Sequence, residues 1–215
     1  MNDEYKTIHE YGEDEIIINK SRFIGYSKPV DTEELAIEFI EEIKEKHKDA
    51  THNVFAYVIG ESSNIQRYSD DGEPSGTAGV PILEVLKKED LRNTVVVVTR
   101  YFGGIKLGAG GLIRSYIKGA KAGLDASKII KKVLHIKIKF RIEYTLYGKV
   151  ENELLANEYT VEDVIYDEAV NIVVICKADK TEELINLMKN LTSGTVDYEE
   201  IAQEHISVLN GKLLI

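Results

Sequence analysis

The chain has 215 residues, 43% of them apolar and 30% charged, with a formal net charge of −10. That length supports one large domain or two small ones with a real core, and that composition excludes a disordered chain and a uniformly basic nucleic-acid binder. No apolar run approaches the roughly 20 residues that span a bilayer, so no membrane partner is expected.

In chain order, residues 15–18 and 22–28 read as a hairpin. Asp31 or Thr32 caps a helix to about Lys46, whose apolar face is Leu35, Phe39, Ile40 and Ile43. Residues 53–60 form an apolar strand entered from His52. The segment Tyr68-Ser-Asp-Asp-Gly-Glu-Pro-Ser-Gly-Thr-Ala-Gly-Val-Pro81 is turn-rich and leads into a helix through Leu86. Strand 94–99, a glycine loop and a helix from about Gly110 to Ser127 follow, the helix burying Leu112, Ile113, Tyr116, Ile117, Ala120 and Leu124. From Leu134 to Tyr144 apolar residues alternate with His135, Lys137, Lys139, Arg141 and Glu143, a strand with one buried and one solvated face. A helix with Leu146, Tyr147, Val150, Leu154 and Leu155 inward comes next, then strands 160–166 and 171–178. A helix carrying Leu184, Ile185, Leu187, Met188 and Leu191 and a strand from about Thr195 close the chain. The order βαββαβ in this half predicts a ferredoxin-like split βαβ sandwich. The domain boundary is placed at Lys131–Lys132, giving domains 1–131 and 132–215.

The run Arg100-Tyr-Phe-Gly-Gly-Ile-Lys-Leu-Gly-Ala-Gly-Gly-Leu-Ile-Arg-Ser-Tyr116 is the leading site candidate. Glycines let backbone approach a ligand, and a helix start offers free N–H groups at the positive end of the macrodipole. Gly103, Gly104, Gly108, Gly110 and Gly111, with Arg100, Lys106, Arg114 and Lys118 around them, predict a seat for phosphate or another anion. Lys121 continues the row of Arg114 and Lys118 along one helix face. From Arg92 to Lys132 nine basic side chains stand against one acid, Asp125, whereas from Val133 to the end eight stand against fifteen. Tyr101 is the candidate to stack a base and Phe102 the candidate core residue. The loop is neither a Walker A sequence nor a dinucleotide fingerprint, since Ile113 stands where the third glycine belongs.

Asp70, Asp71 and Glu73 crowd one turn and would either hold a hard cation or cap the next helix. His52 and Ser75 complete the secondary candidates, Ser75 without a base partner in view. Cys176 is alone, which excludes an internal disulfide and a cysteine-built zinc site. The opening residues are acidic and polar, unlike a targeting peptide, so the expected compartment is the cytoplasm.

The Tyr68–Pro81 motif and the Thr99–Tyr116 motif, with Ala50-x-His52 and Ala56, resemble the IMPACT/YigZ family along essentially the whole chain. The resemblance implies an α+β protein of two domains. The first would be like domain 2 of the S-five-type small-subunit ribosomal protein and domain IV of elongation factor G. The second would be a ferredoxin-like domain similar to domain V of that factor. It also implies a link to translation and nucleic-acid binding. Eukaryotic members interfere with activation of the starvation-sensing kinase of the general-control pathway and carry an extra N-terminal RWD domain, for which this sequence would leave no room. No enzyme activity is established for the family, and a peptidase label on some relatives finds no metal-ligand set here.

The expected function is that of a cytoplasmic, non-enzymatic protein associated with RNA or the ribosome, without a cofactor. One alternative is a Mg²⁺-dependent enzyme acting on a phosphorylated small molecule, with Asp70, Asp71 or Glu73 on the metal. Another is a protein-interaction module whose sheet face (His135, Lys137, Lys139, Arg141) meets a partner or a second copy.

Overall fold

The structure, a computed structural model, describes residues 3–209 and 211–214. The chain forms two units, Met1–Lys132 with Ser207–Lys212 and Val133–Ile206 with Leu213–Ile215. The first contains β1 (Glu4–Ile8), β2 (Gly12–Ile18), β3 (Ser21–Pro29), α1 (Glu33–Lys46), β4 (His52–Ile59), β5 (Ile65–Ser69), α2 (Gly79–Lys88), β6 (Thr94–Tyr101) and α3 (Gly108–Ser127).

Five of these strands pair in the order β2-β3-β6-β4-β5, antiparallel throughout. Because side chains alternate along a strand, β6 is apolar on both faces and each face needs its own cover. Val95 and Val97 pack with Tyr26, Tyr57 and the α1 residues Ala36, Phe39, Ile40 and Ile43. Val96 and Val98 pack with Phe23, Val54 and Ala56 beneath Ile82 and Leu86 of α2 and Leu112, Tyr116 and Leu124 of α3. Thr32, rather than Asp31, caps α1, its side chain accepting from the Leu35 amide at 3.3 Å. Leu35 is consequently turned outward and Ala36 takes its place in the core.

Helix α3 lies against β3 at backbone distance. A Cβ on Gly25 would stand 1.9 Å from the Gly119 carbonyl oxygen, so only glycine permits the approach. The helix begins two residues earlier than its sequence suggests, and Ile113 faces solvent rather than the sheet.

The second unit takes in most of β7 (Ile129–Ile142), then α4 (Tyr144–Ala156), β8 (Thr160–Tyr166), β9 (Val170–Lys177), α5 (Thr181–Leu191) and β10 (Asp197–Leu209). Its strand order, β10-β7-β9-β8, with two helices in the βαββαβ sequence, is ferredoxin-like. Ile136, Ile138, Phe140 and Ile142 pack with Ile172 and Val174 of β9 and with Val150, Leu154, Leu184 and Met188 of the helices. The strict alternation in β7 is thus real up to Ile142, but Tyr144 is exposed and opens α4. Leu155, expected inward, is 75% exposed, because α4 buries only the Val150–Leu154 stripe. His135, expected on the open face, is buried, and its Nδ1–H donates to the Val133 carbonyl at 2.7 Å. The other basic residues of that row meet acids: Lys137 with Glu162 and Glu204, Lys139 with Glu199, and Arg141 with Glu168. Among the described residues, no helix is long and apolar enough to cross a membrane.

Candidate anion site at the start of helix α3

The antiparallel register of β4 and β6 sets His52 opposite Arg100. Alternation puts Arg100 on the Val96–Val98 side of the sheet, the side covered by α2 and α3. The acidic turn then folds over this corner. Asp70 caps α2, its carboxylate accepting from the amides of Gly76 (2.8 Å), Ala78 (3.1 Å) and Gly79 (2.8 Å). Asp71 accepts from the Asn53 amide through Oδ2 at 2.5 Å, and its carbonyl accepts from His52 Nδ1–H at 2.7 Å. Glu73 Oε1 accepts from Arg100 Nη1 at 2.5 Å and from the Tyr116 hydroxyl at 2.7 Å, and lies 3.8 Å from His52 Nε2.

Arg100 is only 5% exposed. Its guanidinium stands between the rings of Phe23 and Phe102, at 5.4 and 5.5 Å from their centroids. Its Nε is buried with no hydrogen-bond partner. Burial, reinforced by the Glu73 carboxylate, holds the Tyr116 hydroxyl protonated far above the usual phenol range.

Past the end of β6, Thr51 Oγ1 accepts from the Phe102 amide (3.0 Å) and Ser21 Oγ from the Gly103 amide (3.1 Å). A Cβ on Gly103 would come 2.0 Å from the Lys20 carbonyl carbon, so this glycine is there for close passage. Gly104 and Gly108 turn the loop at φ +80° and +68°. Gly110 is different. A Cβ there would meet only the tip of Arg114, at 3.5 Å, and its φ is ordinary. Neither backbone conformation nor packing requires glycine at this helical position. Gly111 is tighter, with the Leu107 Cβ 3.0 Å from its would-be Cβ. Leu107 precedes α3 and supplies no side-chain cap, and no acid stands in the first turn.

Beside these amides lies an open hollow of about 360 Å³, lined among others by His52, Glu73, Arg100, Phe102, Lys106 and Leu112. Glu73 offsets Arg100, so the remaining local charge is Lys106 and the positive end of α3. Arg114 and Lys118 are exposed along the same helix, without a carboxylate partner among the described residues, whereas Lys121 is engaged by Glu89 at 3.3 Å.

The structure therefore places Lys106, Gly108, Gly110 and Gly111 at the start of α3 and Arg114 and Lys118 farther along the same helix, and brings His52 and Glu73 beside Lys106 and Gly108 from the other motif. Arg100, expected in the exposed track, is paired inside. Tyr101 and Phe102 exchange their expected places. Tyr101 is still in β6, on the α1 side, where its hydroxyl bonds His47 Nδ1 at 2.8 Å and Arg22 covers its ring. Phe102 follows Arg100 beyond the last sheet pair and is 48% exposed at the hollow. Ser75 is exposed in the turn. The three acids have the protein's own amides and Arg100 as partners, and no group of three or more His, Cys, Asp or Glu among the described residues is arranged to hold a metal. Sequence reasoning missed Phe102 as a wall of the site and Tyr116 as the partner of Glu73; for Phe102 the signal was its place one residue past the strand, where alternation stops applying.

The Impact N-terminal domain model matches residues 19–124, and DUF1949, a domain of unknown function, matches residues 140–195. The chain is 49% identical to the IMPACT family member YvyE of Bacillus subtilis, over 91% of this chain and 90% of that one. It is 35% identical to the IMPACT family member YigZ of Escherichia coli, over 66% of this chain and 74% of that one. A solved structure described as that of a hypothetical protein superposes with a TM-score of 0.60 at 29% identity, covering 94% of this chain and 99% of the other.

Proposed function

The chain belongs to the IMPACT family, and from that premise we propose that it is a translation-linked protein that binds RNA, free or in the ribosome, by its phosphate backbone. One phosphate sits on the first amides of α3, and Lys106, Arg114 and Lys118 track its neighbours. The observation that carries this reading is the start of α3 itself: uncapped, open to solvent, and built with a glycine at position 110 that the fold does not require. Such a glycine costs helix stability of about 1 kcal/mol relative to alanine, and bare amides at the positive end of a helix are what an anion uses. In the acidic second unit the basic row of Lys137, Lys139 and Arg141 is matched by that unit's own carboxylates.

Ultraviolet crosslinking of the full chain to cellular RNA and ribosomes, followed by mapping of the adducts, tests the reading. Adducts on residues 101–118 that fall in a Lys106→Ala, Arg114→Ala double variant are expected. Adducts elsewhere, or none, would overturn it.

A further inference from the structure

We propose that the hollow beside α3 is a guanine-nucleotide subsite, with the base flat against Phe102 and its donor edge on Glu73 and His52. Its phosphate seat is the one proposed above; what is added is which nucleotide the site accepts.

The polar wall of the hollow is built for a ligand that donates hydrogen bonds. The Asp71 carbonyl can only accept, so His52 Nδ1 carries the hydrogen, and a ring with that single hydrogen presents a lone pair at Nε2. Glu73 uses Oε1 for both Arg100 and Tyr116, and none of the described residues bonds its Oε2. Two residues with an unused acceptor therefore neighbour each other, His52 Nε2 lying 3.8 Å from Glu73 Oε1. Both residues line the hollow. So does Arg100, whose Nη1 is already committed to Glu73 Oε1.

The apolar wall suits a flat ring. Phe102 is exposed, with the Arg100 guanidinium behind it, and single-stranded nucleic acid is bound by just such aromatic platforms. A volume of about 360 Å³ lies near the lower end of small-molecule pockets, roughly 300–1,000 Å³, which is room for one nucleotide. Among the four bases only guanine sets two donors, N1–H and N2–H₂, side by side on one edge. Adenine, cytosine and uracil set an acceptor beside the donor, so one lone pair of the wall would face another and stay unpaired.

Calorimetric titration of the full chain with GMP, AMP, CMP, UMP and inorganic phosphate tests the proposal. GMP is expected to bind at least about tenfold more tightly than CMP, UMP or AMP. Phe102→Ala should cost GMP about tenfold more than it costs phosphate, and Glu73→Gln should abolish the preference for GMP. Should Glu73→Gln not fold, His52→Ala reads the same edge. Equal affinity for the four nucleotides, no binding of any, or a Phe102→Ala effect equal on GMP and phosphate would each overturn the subsite. RNA that binds with a salt dependence while GMP shows no preference defeats the subsite alone; a GMP preference without RNA binding supports the subsite and defeats the RNA reading alone.

Discussion

Glu73 Oε1 and Arg100 Nη1 lie 2.5 Å apart although 27 residues separate them in the chain, and both side chains are almost out of water. Removing one partner of such a pair leaves an uncompensated buried charge, whereas replacing both by apolar groups is often neutral. Glu73→Ala should therefore cost about 3–5 kcal/mol in urea unfolding, and Glu73→Leu with Arg100→Met should cost clearly less. Equal losses for the single and the double variant would show that charge compensation is not what the pair provides.

Gly110→Ala separates stability from binding. The new Cβ has space and an ordinary φ, so the helix should gain roughly 0.5–1 kcal/mol, read as a higher melting temperature. Binding of single-stranded RNA should weaken in the same variant, because the methyl group stands over the amides. A variant that is stabilised and binds RNA as before would show that the glycine does not serve a ligand.

Asp70 holds the amides of Ala78 and Gly79 at the start of α2 and that of Gly76 in the turn before it. Its replacement by alanine should cost about 2 kcal/mol, the upper end for an N-cap, in chemical unfolding. Added Mg²⁺ should leave the unfolding midpoint of the unmodified protein unchanged, and a rise with Mg²⁺ would instead favour a metal role for the acidic turn.

His47 lies between the Tyr26 hydroxyl (2.5 Å, at Nε2) and the Tyr101 hydroxyl (2.8 Å, at Nδ1). Burial, aided by the charge of Lys46, holds its pKa below the ordinary 6.5. The unfolded chain therefore takes up a proton that the folded chain refuses. The ring's contribution to stability is complete above about pH 6.5 and is lost as pH falls from there through the folded pKa. In urea titrations between pH 7.5 and 5, His47→Gln should lose stability less steeply than the unmodified protein. Identical slopes would assign the acid sensitivity to other groups.

How much of this was legible in the sequence depends on whether a residue's place is set locally. The alternation of Ile136, Ile138, Phe140 and Ile142 could be read directly, because a sheet with one covered face imposes period two. The Thr32 helix and the strand–loop–helix around Gly103–Gly111 were legible for similar reasons. Leu155 was not: its spacing suits a helix face, but the width of the covered stripe is fixed by what packs on it. The exchange of Tyr101 and Phe102 has the same origin, since it turns on where β6 stops pairing with β3. Nor does either motif, read alone, reveal that Glu73 neutralises Arg100. That follows from the register of β4 on β6 and from the way Asp70 and Asp71 anchor the turn.

The central claim is that the start of α3 grips phosphates, and its salt dependence tests it most directly. With Arg100 paired inside, Lys106, Arg114 and Lys118 remain to neutralise phosphate. Fluorescence anisotropy of a single-stranded RNA oligonucleotide with the full chain should give log affinity against log salt a slope of about −2. Lys106→Ala with Arg114→Ala should bring that slope to about −0.7. A flat line, absence of binding at low salt, or a slope indifferent to the double substitution would contradict the account.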